Sequence, residues 1–557
     1  MRRIRISLQT LLLILTALQL VSCQALQGPT QAAGSNVAEV SNQIRPEAIQ
    51  AHIEFLADDA LEGRGTGSRG YDMAARYLRA HLLASGINGG VGNEKYFQKV
   101  PLVRTSVEPQ QATMQIGDLQ LTLDRDFILL DTHRDLSGKA SGKVVFAGYG
   151  VTAPEFGHDD YADLDTRGAI VAFMEFEAPP SIPSTVRAYY SDQNVKIANA
   201  AAHGAIGTLF IRSPVLERMF PWEGWLRELD IGWNSLRWLK NDGSPGGMTE
   251  ESLVVGVLNR SGSELLFDGE VHDLQSVLDA AATGQPPTFA LSKTVTIEYQ
   301  ASHEQVDSVN VIGLLEGSDP KLKDEYVVYT AHVDHLGIGP ELDGDSIYNG
   351  ALDNASGCAV LLEVARAFAA LPQRPKRSIL FVFVTGEEAG LLGADYFVHH
   401  PTVPIEHIVA NINIDGAISL TPVSSVVAFG AEHSSFGALT QSAASRLDLT
   451  ISPDPFPEEG FFVRSDQYPF IKKGIPSVFL MMGFESTSPD IDALEAFKNW
   501  LVTNYHTPKD DIRQPLDFES SARMSRFAFT LGHLIAMEPQ RPSWNESDFF
   551  GNKFGNR

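Results

Sequence analysis

Histidines and carboxylates recur beside apolar runs in the second half of the sequence. The run Tyr326–Thr330 leads into Ala331-His332-Val333-Asp334-His335-Leu336-Gly337, and the run Ile379–Val384 into Thr385-Gly386-Glu387-Glu388. The run Ile408–Ile414 ends in Asp415-Gly416, and Asn504-Tyr505-His506-Thr507-Pro508 brings a further histidine. Between the first two runs, Asn349-Gly350-Ala351-Leu352-Asp353-Asn354-Ala355-Ser356-Gly357 opens a helical stretch. Taken singly, each has a structural use: Asp353 could cap a helix, and Glu387-Glu388 could be an exposed acidic pair in a first turn. Gathered at equivalent edges of one sheet, they suit a metal site. With cysteine present only as Cys23 and Cys358, the donors are imidazoles and carboxylates, which suit zinc first and leave cobalt or manganese open. Charge favours two ions: Asp353, Glu388 and Asp415 carry −3 and a hydroxide makes −4, against +4 from two dications. Such a pair activates water and polarises a carbonyl, leaving Glu387 free to accept the water's proton.

For these residues to meet, the runs must be neighbouring strands. From about residue 305, apolar strands alternate with amphipathic helices such as Ala355–Ala370, which predicts an α/β domain. Its sheet should be mostly parallel or mixed and sandwiched by helices, with ligands gathered at the carboxyl ends of the strands. Residues 45–87 read as helical, broken by the loop Glu62-Gly63-Arg64-Gly65-Thr66-Gly67-Ser68. That loop follows no strand and lacks the Lys-Ser/Thr ending of a phosphate cradle, so it is read as structural. From about 110 to 295, short strand-like runs dominate and candidate ligands do not cluster. The boundaries expected are 46–110 and 296–540 for the two parts of the catalytic domain, 111–295 for a β-rich insert, and 541–557 for a C-terminal tail.

The chain has 557 residues, with 43 Lys and Arg against 69 Asp and Glu, a formal net charge of −26. Such acidity repels a phosphate backbone and excludes nucleic acid as a partner. Arg2, Arg3 and Arg5 precede an apolar run from Leu8 to Val21, the pattern of a signal peptide over residues 1–22. The ending Leu20-Val21-Ser22-Cys23 resembles the bacterial lipobox, which implies export and a lipid anchor in the membrane through Cys23. Residues 23–45 then read as a tether. By the same resemblance, Gln24 favours the outer membrane of the cell envelope.

Together, the motifs around residues 332, 353, 388, 415 and 506 resemble the co-catalytic zinc aminopeptidase family, which also includes glutamate carboxypeptidases, glutaminyl cyclases and the inert transferrin receptor. The resemblance implies two Zn2+ per chain and peptide substrates. It implies that His332 and Asp415 hold one zinc, Glu388 and His506 the other, and that Asp353 bridges them. Glu387 is implied as general base and then acid, and Asp334 as the carboxylate that orients the His332 imidazole. His335 has no ligand role in that pattern and is read as loop-stabilising; Ser465-Asp466 matches a recurrent family stretch without an assigned role. The segment Val145–Val171, with Gly148-Tyr149-Gly150, resembles a protease-associated insert domain. In the carboxypeptidase branch, arginines follow a Gly-Ile-x-Ser stretch, whereas here Gly474-Ile475-Pro476-Ser477 continues Val478-Phe479-Leu480-Met481-Met482. An aminopeptidase is therefore expected; a carboxypeptidase, a glutaminyl cyclase and a non-catalytic relative are the alternatives.

Overall fold

A computed structural model describes residues 36–555 except 131, 233–234, 249–252 and 458–459. The expected signal peptide and Cys23 lie outside the described residues.

Strand Tyr326–His332 lies at the middle of the catalytic sheet, with parallel strands on both sides: Ser378–Val384 on one and Ile408–Ile414 on the other. Ser477–Met482 continues the parallel set beyond Ile408–Ile414, and Ser425–Phe429 closes against it antiparallel. Strand Ser378–Val384 is buried at every position, as expected where helices cover both faces of a parallel sheet. Its side chains alternate with the period of two that a strand imposes. Ile379, Phe381 and Phe383 enter the core beneath helices Pro46–Leu56, Arg69–Ala84, Ser356–Ala370 and Phe518–Met537. Leu380, Val382 and Val384 enter the core that holds Phe397 and Phe470 on the opposite face. The sandwich of helices on a mixed sheet is therefore as the sequence predicts.

A second sheet forms from residues 113–299. Strands Ser137–Ala147, Ile170–Met174, Gly207–Ile211 and Val254–Leu258 run parallel in that order, and Phe127–Leu130 pairs antiparallel with the last. Helices Gln193–Ala202, Trp222–Ile231 and Leu274–Ala282 accompany them, so this insert carries helices as well as strands.

Strand Thr288–Leu315 belongs to both sheets. Its first half pairs with Ser137–Ala147 and Thr113–Ile116, its second with Phe97–Val107 and Ser378–Val384. The boundary expected at 295/296 thus falls inside one continuous strand, where Val295, Ile297 and Tyr299 alternate into the core of the insert across it. The tether reading is corrected where it overlaps the described chain: residues 36–41 are helical, and Val37, Val40 and Ile44 enter the main core. Their apolar spacing, diluted by polar neighbours, is enough to dock once a groove exists. Residues 541–555 pack as well. Phe550 is fully buried against Phe462 and His433, and Phe549 packs at a tilt against Tyr189 and Tyr190 of the insert.

Candidate metal centre

The three central strands end side by side, and their register decides what meets. His332 sits opposite Val384, so the turn that leaves Val384 carries Glu387 and Glu388 over the end of the His332 strand. Glu387 closes this turn by accepting the amides of Gly390 and Leu391 at 2.8 and 2.9 Å. On the other flank, Asp415 follows directly from Ile408–Ile414. Asp353 lies in the turn Ala351–Ala355 before helix Ser356–Ala370, entered through Gly350 at φ 61. A Cβ at Gly350 would lie 2.2 Å from the Asp353 carbonyl, so glycine is required for this approach. Asn354, rather than Asp353, does the capping: its Oδ1 accepts the Gly357 amide at 2.8 Å. His506 arrives on the loop after helix Ala493–Thr503, with its ring stacked on Tyr505 at 3.8 Å.

All five ligand candidates converge. His332 Nε2 is 3.3 Å from Asp353 Oδ1 and 3.4 Å from Asp415 Oδ1. His506 Nε2 is 3.5 Å from Asp353 Oδ2 and 3.1 Å from Glu388 Oε2. The two oxygens of Asp353 are thus divided between two donor sets. Donors at about 2.0–2.1 Å from one tetrahedral ion lie roughly 3.3 Å apart, the separation seen within each set. Moreover, the buried Nε2 atoms of His332 and His506 have no well-oriented hydrogen bond despite these neighbours. Nitrogens and oxygens that approach without bonding one another fit a shared cation, and the residues present fit two.

The electrostatics agree. Burial alone would lower the pKa of His332, but Asp415, Glu387 and Asp353 outweigh it and hold the ring well above the usual histidine range. Asp353 is held well below the carboxylate range because His332, His506 and His335 overcome its burial. Burial pushes Glu387 well above that range, and Glu388, Asp466 and Asp415 push the same way against the pull of His332. Surplus negative charge is what bound dications would neutralise.

The sequence profile of peptidase family M28 matches residues 310–531, the span that contains every one of these donors. The chain is 28% identical to the probable zinc metalloprotease of Pyrenophora tritici-repentis, over 44% of this chain and 62% of that protein. It is 28% identical to aminopeptidase YwaD of Bacillus subtilis, over 40% of this chain and 43% of that protein. A match of 34% identity to aminopeptidase NAALADL1 of Mus musculus covers 23% of this chain and 16% of that protein. The chain therefore spans less than two thirds of these relatives' length. Among solved structures, an aminopeptidase from Aneurinibacillus sp. strain AM-1 superimposes with a TM-score of 0.52 at 17% identity, covering 89% of this chain and 95% of that one. That likeness shows a shared fold.

Around the candidate ligands stands a layer of supporting groups, most of which the sequence did not single out. Asp334 departs from its expected contact: His332 Nδ1 bonds the main-chain carbonyl of Asp334 at 3.1 Å rather than its carboxylate. The carboxylate instead accepts the amides of Glu387 and Glu388 at 3.2 and 3.3 Å and the Thr66 hydroxyl at 3.1 Å. Local backbone geometry puts the carbonyl nearer the ring, two residues on. His335 bonds Glu388 Oε1 through Nδ1 at 2.7 Å, so the loop-stabilising reading acquires a partner at the centre itself. Ser465 donates to Asp415 Oδ2 at 3.0 Å and receives Asn413 Nδ2 at 2.8 Å. Asp466 is fully buried, and neither of its carboxyl oxygens has a hydrogen-bond partner. Asp510 accepts the amides of Leu352 and Asp353 at 2.9 and 3.0 Å. Arg64, buried in the loop read as structural, donates to the carbonyls of Val333, Asn349 and Gly350 and so ties two ligand loops together.

Proposed function

We propose that this chain is a zinc-dependent metallo-aminopeptidase that removes amino-terminal residues from peptides. The observation that carries the reading is the division of the Asp353 carboxylate between two His–carboxylate sets, with Glu387 beside them. Bound zinc supplies Lewis-acid charge that activates water and polarises the scissile carbonyl. Glu387 accepts the water's proton and returns it to the leaving amine. His332 and Asp415 would hold one ion and Glu388 and His506 the other, with Asp353 offering one carboxylate oxygen to each set. Aminopeptidases among the relatives support the exopeptidase class. The strand Ser477–Met482 is buried throughout and carries no arginine to grip a substrate carboxylate, which favours amino-terminal over carboxy-terminal cleavage.

The direct test is hydrolysis of aminoacyl-nitroanilides by purified protein, before and after chelation and with metal content measured. Two zinc ions per chain and chelation-sensitive release of nitroaniline are expected. Cleavage only of carboxy-terminal residues from a peptide library would replace the reading with a carboxypeptidase.

The protein is also proposed to be an exported lipoprotein of the cell envelope, anchored through Cys23 and facing the periplasm or outer membrane, on the strength of Leu20-Val21-Ser22-Cys23 and Gln24. Mass spectrometry of the mature amino terminus should find acyl groups on Cys23; an unmodified terminus at another residue overturns the anchor. The insert is proposed to be a protease-associated domain, on the strength of Gly148-Tyr149-Gly150 and its neighbours.

A further inference from the structure

The insert reaches the metal centre. His506 Nδ1 lies 2.9 Å from Glu228 Oε1, a residue of helix Trp222–Ile231 in the insert. Among the described residues, Nδ1 of His506 has no other hydrogen-bond partner. The two histidine ligands are thus held differently: His332 by a carbonyl of its own domain, His506 by a carboxylate from outside it. His506 also needs holding. Its backbone is at φ 54, a left-handed conformation uncommon for a bulky residue and maintained only when the surroundings enforce it.

The helix that carries Glu228 is anchored at one end and presented at the other. At its start, Trp222 Nε1 donates to the Asp124 carbonyl at 2.7 Å, and the Arg212 guanidinium lies over the rings of Trp222 and Trp225 at 5.7 and 4.8 Å. At its end, Ile231 packs so close to Gly339 that a Cβ there would meet it at 2.6 Å, and Gly232 closes the helix at φ 102. Glu228 therefore sits between two fixed contacts, with its side chain 23% exposed.

The geometry points to Glu228 as a positioning residue for the second ion, so that the docked insert completes the metal centre. A carboxylate can only accept, so His506 must carry its proton on Nδ1, leaving the Nε2 lone pair toward Asp353 and Glu388. Such a partner fixes ring orientation and raises ligand basicity. This inference rests on the two-metal reading above. It adds a supporting residue from the insert, where candidate ligands do not cluster in the sequence.

The test is zinc titration of the metal-free full-length protein, paired with the visible spectrum of the cobalt-loaded form. In Glu228→Ala, one of two ions should bind about 10–100-fold more weakly, the usual effect of removing such a partner, while the other keeps its affinity. The cobalt absorption of the weakened site should change, and far-UV circular dichroism should not. Glu228→Gln, whose amide oxygen still accepts from Nδ1–H, should recover most of the affinity and the spectrum. Should the alanine variant fail to fold, Glu228→Leu, which keeps a side chain of similar bulk on the helix, takes its place with the same expectations. Wild-type affinity and spectrum for both ions in the alanine or leucine variant overturn the inference; so does an equal loss in the glutamine variant with an unchanged spectrum. A wild-type protein that binds no zinc overturns the metal-site reading instead, a distinct result.

Discussion

Asp334 and Glu388 are joined through the backbone: one carboxylate oxygen of Asp334 accepts the Glu388 amide at 3.3 Å, while the other accepts the Glu387 amide at 3.2 Å. One buried side chain thereby sets the turn that carries both Glu388 and Glu387, the proposed ligand and proton acceptor. Asp334→Asn turns a donor toward one of those amides. Zinc affinity and kcat should then fall together, each about 10–100-fold as for other supporting partners of metal ligands. Equilibrium dialysis beside steady-state kinetics checks it; a variant that keeps both values would show the turn to be held by other contacts.

The adjacent pair should separate cleanly. Glu387→Gln should keep both metals while kcat falls about 10²–10⁴-fold, the usual contribution of a general base. Glu388→Gln should lose about one metal per chain, with excess zinc restoring part of the activity. Metal analysis of the two variants decides; the opposite pattern would exchange the two roles.

Ser465 tests the other ion. Its hydroxyl links Asp415 to Asn413 inside the sheet, so Ser465→Ala leaves a buried amide short of a partner. A loss of about 1–3 kcal/mol is expected in chemical denaturation. The ion held by His332 and Asp415 should also bind more weakly, with the His506 site spared. Equal weakening of both ions would contradict the assignment of Asp415 to one set.

Away from the centre, Glu363 predicts acid sensitivity. Burial would raise its pKa, but the His52 ring 3.8 Å away and hydrogen bonds from Arg366 outweigh it and lower the carboxyl from 4.5 to about 2. A carboxylate depressed on folding stabilises above its unfolded value and loses that contribution as pH falls toward its folded value. The contribution should therefore be complete above about pH 5 and fade between pH 4.5 and 2. Glu363→Gln should destabilise by about 1–3 kcal/mol at pH 6.5. The gap from wild type should narrow below pH 4.5 in thermal melts. A gap independent of pH would remove the charge from the explanation.

Helices around a mixed sheet, and ligands at the strand ends, were legible because they are written in local pattern. A strand buried on both faces reads as an unbroken apolar run such as Ile379–Val384, and residues just beyond such runs are placed by the strand itself. Hence His332, Glu387, Glu388 and Asp415 stood out beside strand ends, whereas Asp353 and His506 lie in a turn and a loop next to helices, and the roles of all six came from the family resemblance. The long strand Thr288–Leu315 shows the limit of this reasoning. Its alternation marks a strand but not which sheet each half joins, so the domain boundary fell inside it.

The sequence by itself determined which side chains could ligate and that His332, Glu388 and Asp415 follow strands, since both rest on residue chemistry and short-range periodicity. Tertiary structure alone decided what supports them. Whether the carbonyl or the carboxylate of Asp334 meets His332 depends on a backbone path that residue type does not encode. Arg64 binds carbonyls 269 to 286 residues away, Asp510 binds amides 157 and 158 residues away, and Glu228 meets His506 across 278 residues. Such contacts leave no periodic trace, because they arise only when separately folded elements pack and a polar group must find its partner in whatever surface arrives.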